Sequence, residues 1–165
     1  MRALTVRQPA AWAIIYAGKD VENRTRSLGP YRGPVAIVAG REILDEDHPF
    51  WEHPLYRAAV SRETAWVRDR LDVRGAVLGL VDLVDMHSAS VIRGCGYLRH
   101  DCPEHGTCRD HCSPWAEGPA PRGGWMQHLV LANPRPLVEP LPHTGALGLR
   151  RLDDATIARI EEEIA

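Results

Sequence analysis

Lysine is nearly absent from this 165-residue chain: Lys and Arg together number 20, and only Lys19 is a lysine. An amine that can shed its proton on desolvation is therefore available at one position, because arginine stays charged in any protein environment. Long apolar runs are also missing. Residues 12–16, Trp-Ala-Ile-Ile-Tyr, fall well short of the roughly 20 residues of a membrane span, and there is no apolar signal-peptide core. These two absences predict a cytoplasmic chain with no membrane partner. A positive excess is missing as well, the formal net charge being -2, which argues against non-specific coating of nucleic acid and leaves room only for a local basic patch. No Gly-x-Ser-x-Gly, phosphate loop, His-Glu-x-x-His pattern or internal repeat occurs. Cysteine is missing everywhere except residues 95–112.

What is present is ordinary for a globular protein: 44% hydrophobic and 25% charged residues. The length predicts one domain over 1–165, with an inserted Cys/His-rich loop over 88–123. Leu4 and Val6 alternate with polar residues and predict a strand over 3–7. Pro9 opens a helix over 10–17, and Gly18 is placed to end it in a left-handed cap. Lys19 then lies just past a helix C-terminus, where the dipole favours a cation. An extended stretch over 21–26 would put Glu22, Arg24 and Arg26 on one face.

Residues 33–39 predict a second strand. Apolar positions at helical spacing, Leu55, Ala58, Ala59, Ala65, Trp66 and Leu71, predict a helix over 55–71. The near-continuous apolar run 75–87 predicts a strand buried on both faces, as in a small closed barrel, with Gly79 marking a bend or bulge. A strand over 125–132, a turn over 133–137, a late strand over 145–149 and a final helix capped by Asp153 complete the reading. The fold class expected is α+β: a small β-barrel with peripheral helices and the inserted loop.

Leu4-Thr5-Val6-Arg7-Gln8-Pro9, followed by Lys19-x-x-Glu22-x-Arg24, resembles the opening of ASCH domains, relatives of the PUA RNA-binding barrel. Gly75 to Val81, Leu131 to Leu137 and Gly145 to Leu149 add to the resemblance, which spans the chain apart from residues 88–123. Departures are Ala17 at the motif glycine, Ala10 where many relatives have Trp, and Arg26 where some have an aromatic residue.

The resemblance implies a PUA-like barrel with a cleft floored by Lys19, Glu22 and Arg24. In one reading the cleft binds RNA, another single-stranded nucleic acid or a modified nucleoside, with a role in RNA metabolism. Lys19, Arg24 and Arg26 would meet phosphate, Glu22 a base edge, and Trp12 or Tyr16 would offer a stacking face. In the other, the protein is a hydrolase, either an amidohydrolase on N4-acylated cytidine or a ribonuclease. Lys19 would be its base or nucleophile, with Glu22 and Arg24 beside it as catalytic partners. Glu22 favours a charged ammonium, and the amidohydrolase relatives carry Thr there, so binding is the preferred reading.

Cys95, Cys102, Cys108 and Cys112 sit among His100, His105 and His111. Four thiols at this spacing in a reducing compartment predict a structural zinc site that supplies the loop's folding energy. A mixed set using one of those histidines, free thiols and disulfides stay open. Asp85 and His87 read as capping or solvated groups, and His128 as a satisfied core histidine.

Overall fold

The computed structural model describes residues 1–92, 94–99 and 108–164, with side chains at all of these except 97–99 and 108–110. Strand β1 (Arg2–Gln8) leads into helix α1 (Ala10–Tyr16), then β2 (Val21–Arg24) and β3 (Gly33–Ile43). Helices α2 (Pro54–Arg62) and α3 (Ala65–Asp69) precede β4 (Ala76–Ser88). The inserted loop carries β5 (Tyr97–Arg99) and β6 (Cys108–Asp110), paired antiparallel, and β7 (Gln127–Pro142), β8 (Leu149–Arg151) and α4 (Asp154–Glu162) follow. The α+β class is as expected. The closed barrel is not: six strands pair in the order β2-β7-β4-β3-β1-β8, and among the described residues the sheet stays open. Its edges are strands of four and three residues, which offer little ladder for closure. No helix among the described residues is long and apolar enough to cross a membrane.

The chain divides into two units. The first comprises Met1–Lys19, Gly33–Asp82 and Ala132–Ala165. Here β1 pairs parallel to β3, with Leu4 opposite Ile37, and antiparallel to β8. Its core includes Ala36, Val38, Val77, Leu80, Leu137 and Ile160. Helix α1 has no polar face, every residue from Ala10 to Ile15 being buried. Gln8 starts it, its side-chain oxygen accepting from the Trp12 N–H at 2.9 Å while its amide donates to Arg70 O. Gly18 ends it as expected, at φ +69°, where a side chain would be strained.

Three expectations for this unit need correction. The helix over 55–71 is two helices, because Thr64 leaves helical geometry and caps α3 by accepting from the Val67 N–H. Leu55 and Trp66 are consequently exposed, at 41% and 48%, and the buried residues of α2 are Tyr56 and Ala59. The turn over 133–137 lies inside the continuous strand β7, where Asn133 adopts φ +51° and the chain bends without leaving the ladder. Gly79 marks a close approach, since a methyl there would lie 2.5 Å from Arg135 O and 2.9 Å from Ile15 Cδ1. The late strand also falls further on, at Leu149–Arg151, whereas Asp153 caps α4 as expected, accepting from the Thr156 N–H at 2.8 Å.

The second unit comprises Asp20–Arg32 and Leu83–Leu131. Its β2 runs antiparallel to β7, with Asn23 opposite His128 and Arg24 opposite Gln127. A small core of Ala89, Ala120 and Met126, with Trp125 against it, anchors the inserted loop.

Candidate functional site

Strand β2 carries the acidic and basic members of the motif. Val21 and Glu22 are both buried, so the strand is covered on both faces where it begins. Arg24 Nε lies 3.1 Å from Glu22 Oε1, with 9% of the Glu22 side chain and 29% of the Arg24 side chain exposed. The strand ends at Arg24, and Arg26 lies exposed in the bend that follows, so the face shared by Glu22 and Arg24 does not extend to it. Lys19 is 3% exposed, at the end of the first segment of the other unit, its backbone N–H donating to Ala13 O.

Asn23 is held from both sides by the inserted loop. Its amide donates to Trp115 O at 2.9 Å and accepts from the Glu117 N–H at 3.0 Å. Ser113 Oγ donates to Asp20 Oδ1 at the foot of the strand, and the Leu131 N–H donates to Asp20 O at 2.8 Å.

The same loop builds a second cluster. One donor atom each from His87, Cys95, Cys112 and His128 lies within 4.8 Å of all the others, a group that could hold a metal ion. His87 stands at the end of β4 and His128 at the start of β7, so the two strands flanking the insertion present one imidazole each. Cys95 is brought in by a turn whose N–H donates to Ser88 O at 3.0 Å. The turn needs glycine on either side, because a methyl at Gly94 would overlap Ser88 O and one at Gly96 would overlap Ala89 O.

His128 is fully buried, its Nδ1 3.1 Å from Cys95 Sγ and 3.5 Å from Cys112 Sγ, its Nε2 2.7 Å from Glu117 O. The His87 and His111 rings meet it edge-on, with centroids 5.7 Å and 5.3 Å away. His87 Nδ1 is 2.7 Å from Asp85 Oδ2, a hydrogen bond that is the main cause holding the Asp85 carboxyl below its usual range. Cys112 is exposed as a residue, yet partial burial of its thiol, and next the neighbouring Cys95, push that thiol up to about 12.

The sequence-predicted residues thus separate into groups. Glu22 and Arg24 come together, as do Cys95 and Cys112. Cys102 and the Cys108 side chain lie outside the described residues. Trp12 offers no stacking face: it is 0% exposed, its indole N–H donating to Val67 O at 2.8 Å. Tyr16 is half-buried, its ring 6.1 Å from that of Trp12, and burial raises its hydroxyl above the usual range. His87 and His128 are the members that spacing did not single out. Their signal is position, since they flank the inserted segment where its two ends return to the sheet.

Compared with known proteins, the sequence matches no described protein family and no curated protein. The fold does find a counterpart. A crystal structure described as ASCH from Zymomonas mobilis is similar at a TM-score of 0.53 and 13% identity, over 99% of this chain and 95% of that one. The chain has an ASCH-like fold.

Proposed function

We propose that this ASCH-like chain binds single-stranded nucleic acid or a modified nucleoside through its Lys19-x-x-Glu22-x-Arg24 motif, in RNA metabolism. The observation that carries the reading is the Glu22–Arg24 pair. A carboxylate with 9% of its side chain exposed lies 3.1 Å from a guanidinium that reaches solvent, so the pair fixes opposite charges side by side at the water boundary. The same pair suits recognition: a fixed carboxylate accepts from the exocyclic amine of a base, while a guanidinium at the water boundary meets phosphate. Arg26 in the following bend, and Lys19 three residues before Glu22 in the chain, add cationic charge.

The metal that suits two thiols and two imidazoles is zinc, in a structural role. Four protein donors complete a tetrahedral shell and leave no position for a substrate.

Titration of a fluorescent single-stranded oligonucleotide, RNA and DNA in turn, and competition by N4-modified cytidines, test the binding reading. Arg24→Gln should weaken binding about tenfold, the loss of one charge-assisted contact worth about 1.4 kcal/mol, while Lys19→Arg retains most of it. Equal affinity for wild type and Arg24→Gln would remove the motif from the function. Turnover of N4-acylcytidine that disappears in Lys19→Arg would replace binding by the hydrolase reading.

A further inference from the structure

The outer partners of the two clustered imidazoles decide where their protons sit. A carboxylate can only accept, so the 2.7 Å contact from Asp85 puts a proton on His87 Nδ1 and leaves the lone pair on Nε2. That Nε2 is buried and has no hydrogen-bond partner. The Glu117 carbonyl likewise puts a proton on His128 Nε2 and leaves the lone pair on Nδ1, the atom that faces both thiols. Each ring is thus held by an outer acceptor, as metal-ligating histidines are; His128 turns Nδ1 to both sulfurs, and His87 offers a ring nitrogen within 4.8 Å of the other donors. A tetrahedral ion at zinc bond lengths holds its donors roughly 3.3–3.8 Å apart. The His128 contacts of 3.1 and 3.5 Å are close to that, and the 4.8 Å outer limit asks for a modest contraction. Cys112, the exposed member, provides the way in.

We propose that His87 Nε2, Cys95 Sγ, Cys112 Sγ and His128 Nδ1 bind one zinc ion, and that this ion fastens the motif strand for ligand binding. The second part rests on the binding reading above; the ligand assignment does not. Two of the four donors lead directly into the contacts that grip β2. Cys112 is followed by Ser113, Trp115 and Glu117, which hold Asp20 and both sides of the Asn23 amide. His128 is the ladder partner of Asn23 and also holds the Glu117 carbonyl. Asn23 lies between Glu22 and Arg24, so the residues 112–117 form a strap from the metal to the strand that carries the charge pair. Without the ion, the strap keeps its short hydrogen bonds but loses its anchor at Cys112.

The test uses the full chain. Protein purified without added metal, and the same protein reloaded with zinc after chelation, should carry about one equivalent of zinc. Cys102→Ser/Cys108→Ser should keep it, whereas His87→Ala and Cys112→Ser should each hold less than about half an equivalent after dialysis. Cobalt loaded in place of zinc should show the charge-transfer intensity of two thiolates and not of four. Loss of the ion from Cys102→Ser/Cys108→Ser together with its retention by His87→Ala would overturn the ligand set. In hydrogen exchange, chelation should speed the amides of 21–24 and 113–117 about tenfold or more, and leave those of β1 and β3 unchanged. Unchanged protection of 21–24 would overturn the strap. Oligonucleotide affinity should fall about tenfold with the ion removed, and equal affinity in the two forms would overturn the fastening role. If zinc loads and protects β2 while no oligonucleotide or nucleoside binds in either form, the binding reading fails and the metal assignment stands.

Discussion

Asp82 accepts from Asn133 at 2.9 Å and from Arg135 at 2.7 Å, and these bonds, Asn133 foremost, hold its carboxyl below the usual range. A depressed folded pKa means that the stabilisation is complete above the unfolded value of about 3.9 and drains away as pH falls through the folded value. Asp82→Asn should therefore lower stability at neutral pH by several tenths of a kcal/mol to about 1 kcal/mol, the group being near solvent. The difference from wild type should shrink below about pH 4, and thermal melts at pH 7 and pH 3 check both statements. A residue's role is poorly legible in sequence where burial decides it. Trp12 looks in sequence like a stacking platform, yet a helix without a polar face must bury it.

At the scale of elements, β1, α1 and β4 were legible because their apolar patterns have one period and clear ends. Strand β7 was not. Asn133, Pro134 and Pro136 carry turn chemistry, but Asp82 holds the Asn133 side chain while its backbone takes φ +51°, so the strand bends and continues. The close approach at Gly79 was not legible, because Arg135 comes from a strand more than fifty residues away. Gly79→Ala should cost about 1–3 kcal/mol, since the atoms it would meet are largely backbone and cannot swing aside. Denaturant melts measure that cost, and a change near zero would mean that β4 and β7 part without penalty. The His/Cys cluster was half legible. Cys95 and Cys112 stand out by composition, but no local spacing links them to His87 and His128, which topology gathers from the two strands flanking the insertion. Gly94→Ala should displace Cys95 and lower zinc content, read by elemental analysis, because a methyl there overlaps Ser88 O.

At the scale of the whole molecule, a formal net charge of -2 sets what binding can look like. Arg24 and Arg26 meeting two phosphates would give a slope of about -1.4 in log K against log salt for a single strand. A slope near zero would point to an uncharged nucleoside as the ligand. Metal removal belongs to this scale too: chelation should raise exchange in Asp20–Arg32 and Leu83–Leu131 before it does so in the other unit, because all four donors lie in the former. The central claim is that the insertion closes on one metal ion and thereby holds the motif strand. Anomalous scattering at the zinc edge from crystals of the zinc-loaded chain tests it most directly. One peak is expected, about 2.0–2.1 Å from His87 Nε2 and His128 Nδ1 and about 2.3 Å from the sulfurs of Cys95 and Cys112. A peak bound by Cys102 and Cys108 in place of the two histidines, or no peak at all, would contradict it.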